Sequence, residues 1–214
     1  MSKPIKDKQT IKQIKEIYIK KNKKRDLLLF LLAINTGLKL NDLLNLNVKD
    51  VKEKEYLEIK QINIINDDNN NKENNNKEKE KKENNKNNNK TTRKQKINEI
   101  PINKTIQKLI KEITNKRKPK EPLFISNFGG RLDRTLVYKT FKEIINESTL
   151  IKKEEKKYFS PSSWRKTFGY HYYQKYKDLS YLQYLFSQQT INETIRYIQI
   201  PQINMCRKVQ GLNL

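Results

Sequence analysis

Ser162 and Arg165 stand three residues apart, just after Ser160-Pro161 opens a helix, so their side chains share one helical face. A helix start with a guanidinium beside it suits a phosphate, because the Arg fork takes two phosphate oxygens at once. On local spacing alone, a solvated surface Arg is the plainer account. Tyr197 follows Arg196 in a stretch of helical periodicity, and taken alone it reads as a core or rim aromatic. His171 is the single histidine and Cys206 the single cysteine, which excludes a His/Cys zinc cluster and an intramolecular disulfide. His171 reads as a structural histidine. Trp164, Phe168 and Tyr172, spaced by four, read as core.

The 214 residues carry 47 Lys and Arg against 24 Asp and Glu, a net charge of +23. Such a surplus points to a polyanionic partner, most simply nucleic acid. Lys makes up 39 of the 47, and the wealth of Lys, Asn and Ile is also what an AT-rich genome produces by codon drift. Charge alone therefore separates neither DNA from RNA nor either from an anionic membrane surface. No run of 18 apolar residues exists, and the N-terminus has no apolar signal core. The expectation is a soluble, intracellular, metal-free protein: cytoplasmic and nucleoid-associated, or in an organelle with an AT-rich genome.

The elements that must hold these residues are mostly helical. Ile11, Ile14, Ile17 and Tyr18 fall on one face of a first helix. Leu27–Leu32 is apolar all round, which predicts a buried helix, stopped at Gly37. Leu40, Leu43, Leu44 and Leu46 face inward from a short helix. Strand-like runs occupy Tyr56–Ile65 and Lys96–Ile102. Between them, residues 66–89 contain no apolar side chain and have zero net charge. That segment has nothing to bury against its ordering entropy and reads as a disordered insert in a β-hairpin. Ile106, Leu109, Ile110 and Ile113 make a further amphipathic face. Pro122–Ile125 reads as a short strand, Gly129-Gly130 as a turn, and Leu136, Val137, Phe141, Ile144 and Ile145 as another helix. A helix runs from Ser160-Pro161, with Ser160 as its cap and Pro161 at the first helical position, to about Tyr176. The next is capped by Asp178 or Ser180 and ends near Phe186, and Thr190 with Glu193 fits a capping box for the last. The expected fold is mainly α with a small antiparallel β-sheet (α+β), in a single domain.

The order of these segments resembles the tyrosine recombinases, the phage integrase family. Leu27–Val51, LLLFLLAINTGLKLNDLLNLNVKDV, is similar to that family's first signature: a buried helix ending at Thr-Gly, then a short helix with an acidic residue. Ser160–His171, SPSSWRKTFGYH, resembles its His-x-x-Arg helix. Leu182–Tyr197, LQYLFSQQTINETIRY, resembles its second histidine box followed by the nucleophile helix. The resemblance implies that a tyrosine oxygen attacks a DNA phosphate, forms a 3′-phosphotyrosyl link and releases a 5′-hydroxyl that later returns. It implies no metal, no cofactor and no small-molecule substrate. The implied partner is double-stranded DNA, with self-association on it.

Carried over residue by residue, the resemblance makes Tyr197 the nucleophile and Arg165 a phosphate clamp, with Asp42 supporting the clamp. Lys90 becomes the general acid, with Lys94 or Lys96 as alternatives in NKTTRKQKINEIPI. Three positions depart from the pattern. Lys39 replaces the first clamp Arg, Ser162 the first His and Gln188 the second His. A hydroxyl or an amide can hydrogen-bond a phosphate oxygen but cannot carry a proton as imidazole does near neutral pH. The chain looks like the short, catalytic-domain-only members. Its tail, 198–214, carries Ile198, Ile200, Ile203 and Leu212 for docking on a neighbouring protomer. A binding-only relative and an unrelated basic nucleic-acid-binding protein are the competing readings.

Overall fold

The structure, a computed structural model, describes residues 1–65 and 92–201, with side chains at 59–65 and 92–98 left out of the description. The 66–89 insert, Lys90, Ile203 and Leu212 lie outside the described residues. Eight helices appear among the described residues: α1 (Lys8–Lys20), α2 (Lys24–Thr36), α3 (Leu40–Leu44), α4 (Lys104–Thr114), α5 (Arg134–Glu147), α6 (Ser162–Tyr176), α7 (Leu179–Phe186) and α8 (Ile191–Ile198). Strands β1 (Tyr56–Ile65) and β2 (Thr92–Pro101) pair as a two-stranded antiparallel sheet. Two compact units meet the chain at Leu57/Glu58 and Glu99/Ile100. The smaller carries most of the sheet, and all the helices belong to the larger. No helix of the described residues is long and apolar enough to cross a membrane.

In the larger unit, α2 is the centre. Leu27 to Ala33 are all buried, because α1, α3, α4 and α6 each cover part of its surface. Gly37 then ends α2 with φ +68°, a left-handed value that L side chains resist. Below α2, Phe30 meets Trp164 of α6 and Phe141 of α5, at ring-centroid distances of 5.8 and 6.1 Å, with Tyr18 of α1 5.8 Å from Phe30. This aromatic cluster locks α5 and α6 to α2.

Local chemistry sets most helix starts. Asp7, Asn103, Asp133 and Asp178 each accept backbone N–H bonds at the first turn of α1, α4, α5 and α7. Three details differ from the sequence expectation. Ser160 does not cap α6. Pro161 occupies the cap position, and the Ser160 N–H instead donates to Ser163 Oγ at 3.2 Å. The Thr190 box is half formed: Thr190 Oγ1 accepts from Glu193 N, but the Glu193 carboxylate accepts from Gln189 N. Pro122–Ile125 is not a strand but two single bridges, Asn47 with Pro122 and Ile125 with Arg131. The chain there is too short and too sharply turned to extend a ladder.

Gly169 of α6 is where the last two helices press closest. A Cβ there would lie 2.6 Å from Ile198 Cγ2 and 2.9 Å from the Phe186 ring. In an exposed helix, Gly→Ala gains about 1 kcal/mol of propensity. At Gly169 the overlap with two buried side chains should outweigh that gain and cost about 1–3 kcal/mol net. Gly169→Ala is therefore expected to melt earlier than the wild type in thermal denaturation. An equal or higher melting temperature would sink this account of the contact.

Candidate active site

Four elements converge on one cleft of about 250 Å³, lined in part by Lys39, Arg134, Tyr138, Ser162, Arg165 and Tyr197. Lys39 sits at the cap position of α3, just after the Gly37 turn, which swings its side chain out of the core that buries Leu38. Its side chain is exposed and makes no ion pair among the described residues. Ser162 and Arg165 lie on the first turn of α6, and Arg134 and Tyr138 one turn apart on α5. Tyr197 comes from α8.

Arg165 is held in place rather than free. Its Nη2 donates to the Leu185 carbonyl at 3.0 Å, and its guanidinium carbon lies 4.6 Å from the Phe186 ring centroid. Burial pulls its pKa down, opposed by the Tyr197 phenol and the Asp42 carboxylate. A guanidinium stays charged through such a shift, so the remaining N–H donors form a fixed cation facing the cleft. Asp42 acts on it electrostatically.

Tyr197 is half-buried. Its ring stands edge-on to Phe186, with centroids 5.2 Å apart, and Lys166 Nζ lies 5.0 Å from the Tyr197 ring centroid. Lys166 is itself buried and donates to the Ser2 carbonyl at 2.8 Å. Burial raises the Tyr197 pKa, partly opposed by Arg165. The phenol is therefore protonated at neutral pH. Its hydroxyl makes no hydrogen bond among the described residues.

The structure thus brings together Lys39, Ser162, Arg165 and Tyr197. Gln188 is not among the residues that line the cleft. It follows Ser187 in a tight turn between α7 and α8, its N–H donating to Gln183 O, and its buried Oε1 has no partner among the described residues. Lys94 and Lys96 fall on β2, in the smaller unit. His171 lies outside the cleft, with Nε2 3.0 Å from the Ile5 carbonyl, and burial lowers its pKa. Ile198 and Ile200 are buried. Sequence reasoning missed Arg134 and Tyr138. Their one signal was an i,i+4 Arg–Tyr pair at a helix start, which is a common surface pattern.

A tyrosine, a held guanidinium, an ammonium and a hydroxyl line one cleft on a helical domain. The sequence model of the phage integrase family matches residues 6–202, and the chain belongs to that family, the tyrosine recombinases. It is 30% identical over 200 residues to the probable integrase/recombinase YoeC of Bacillus subtilis (strain 168), covering 93% of this chain and 90% of that protein. Solved structures share the fold. The XerA recombinase superposes with a TM-score of 0.64 at 14% identity, over 100% of this chain and 66% of that one. The Tn1549 transposon integrase, in complex with transposon right end DNA, gives a TM-score of 0.64 at 14% identity, over 96% of this chain and 64% of that one. The chain thus spans slightly under two thirds of these solved chains.

Proposed function

We propose that this chain cuts and rejoins duplex DNA through a covalent bond between Tyr197 and a DNA 3′-phosphate. The observation that carries the reading is the convergence of Lys39, Arg165 and Tyr197, from α3, α6 and α8, on one cleft. The Tyr197 oxygen attacks phosphorus, the bond from phosphorus to the 5′-oxygen breaks, and the 5′-hydroxyl leaves with a proton from a general acid. The reverse attack by a 5′-hydroxyl reseals the strand and frees the tyrosine. Bond energy is kept in the phosphotyrosine, so the two halves are nearly balanced.

Each half builds negative charge on the non-bridging oxygens, which Arg165 and Lys39 are placed to offset. Burial holds the phenol above its ordinary value, so the Tyr197 proton passes to solvent water at the open cleft as the bond forms. Lys90, Lys94 and Lys96 remain the candidates for protonating the leaving oxygen. The DNA-bound Tn1549 integrase and a XerH recombinase bound to its difH substrate, with a TM-score of 0.56, support duplex DNA as the partner.

The test is covalent trapping. The full chain is mixed with nicked duplexes taken from the DNA flanking its own gene, and the products are run in SDS. An SDS-resistant protein–DNA band, with the phosphopeptide mapped to Tyr197 by mass spectrometry, is expected. Tight duplex binding with no band on any flanking duplex would favour the binding-only relative.

A further inference from the structure

Arg134 and Tyr138 line the cleft, and no motif accounts for them. The Arg134 guanidinium donates to the Tyr138 hydroxyl oxygen at 3.2 Å, and the hydroxyls of Tyr138 and Ser162 are 2.7 Å apart. Either hydroxyl can donate in the second bond, and the phenol is the stronger donor of the two. A guanidinium can only donate, so the phenol oxygen already serves as an acceptor. A phenol is also much more acidic than an aliphatic alcohol, and the Arg134 charge, 5.3 Å from the Tyr138 ring centroid, increases that acidity. Burial pushes the Tyr138 phenol up, but its bonds with Ser162 and Arg134 leave it below its ordinary value. As the stronger donor, Tyr138 is assigned the proton of this bond, with Ser162 accepting. Ser162 keeps its own proton, and its exposed side chain lines the cleft.

We propose that Ser162 donates its hydroxyl proton to a non-bridging oxygen of the scissile phosphate, and that Arg134 and Tyr138 are positioning residues that aim and polarise this donor. The proposal rests on the recombinase reading above. It gives position 162 a role that needs no imidazole. A hydroxyl that already accepts a short bond donates more strongly, because the chain polarises along its length. Arg134 also brings a second guanidinium to the cleft that holds Lys39.

The experiment measures adduct formation on a nicked duplex at saturating DNA. It uses the full chain as wild type, Tyr138→Phe, Ser162→Ala and the double variant. Ser162→Ala is expected to slow the reaction about 10- to 100-fold, the range for one hydrogen bond to a charged group. Tyr138→Phe, which keeps the ring, is expected to slow it about 10-fold with duplex affinity and melting temperature unchanged. The double variant should be no slower than Ser162→Ala alone, because Tyr138 acts through Ser162. Arg134→Lys, which still donates, should retain more of the rate than Arg134→Leu. A wild-type rate in Tyr138→Phe, or losses that multiply in the double variant, would overturn the proposal and leave Tyr197 chemistry standing. A wild type that forms no adduct would overturn the recombinase reading and the proposal with it.

Discussion

Tyr197→Phe is expected to abolish the SDS-resistant adduct while binding duplex DNA as tightly as the wild type. The change removes one oxygen and keeps the ring. The edge contact with Phe186 and the position below Lys166 survive, so α8 stays packed on α6. The hydroxyl has no hydrogen bond among the described residues to lose, and its removal eases the burial of a polar group. Stability should hold or rise slightly. Loss of the adduct should be complete within detection, because the missing atom is the one proposed to form the bond.

The cleft contains a second phenol, which makes this result informative. Tyr138 is the more acidic of the two and Tyr197 the less. Acidity alone would choose Tyr138. Availability chooses Tyr197, because the Tyr138 oxygen is engaged by Arg134 and Ser162 at 3.2 and 2.7 Å. A nucleophile must present a free lone pair in line with the leaving group, and breaking two bonds first would cost more than the acidity gains. An adduct that persists in Tyr197→Phe and disappears in Tyr138→Phe would reverse that judgement.

How much of this was legible follows the range of the interactions. Helices with local signals were read correctly in place, though Ser160 does not cap α6 and the Thr190 box is only half formed. The all-apolar Leu27–Leu32 run is buried in α2, and Asp178 caps α7. β1 matches its sequence boundaries, whereas β2 begins at Thr92, four residues before the strand-like run that starts at Lys96. The residues Thr92 to Gln95 are polar and show no alternation, so pairing with β1 extends the strand there, not its own pattern. In the site, Tyr197, Arg165, Lys39 and Ser162 were legible through the order of segments. Arg134 and Tyr138 were not, because their partner Ser162 lies 24 residues beyond Tyr138 and only the packing of α5 against the start of α6 brings them together. Gly169 carried no signal either, since its need for a bare Cα is set by Ile198 and Phe186.

On the recombinase reading, Lys39→Arg should speed adduct formation by about 10²- to 10³-fold if the fork supplies one full oxyanion contact. The cleft has room for it: Lys39 is exposed and makes no ion pair among the described residues. Both side chains carry the same charge, so ground-state affinity and its salt dependence should stay the same. What changes is geometry. A guanidinium meets two phosphate oxygens in fixed directions, while an ammonium is a compact point charge on a flexible stem. The gain should therefore appear in the rate at saturating DNA and not in binding. An unchanged rate in a protein shown to cleave would mean that the missing fork is already replaced. Arg134 and the Ser162 hydroxyl are the groups placed to replace it, and that alternative has its own signature. Compensation by that chain predicts a larger gain from Lys39→Arg in Ser162→Ala than in the wild type, since one contact then substitutes for the other. Equal gains in the two backgrounds would mean that the contacts serve different oxygens and that the site works with one clamp short.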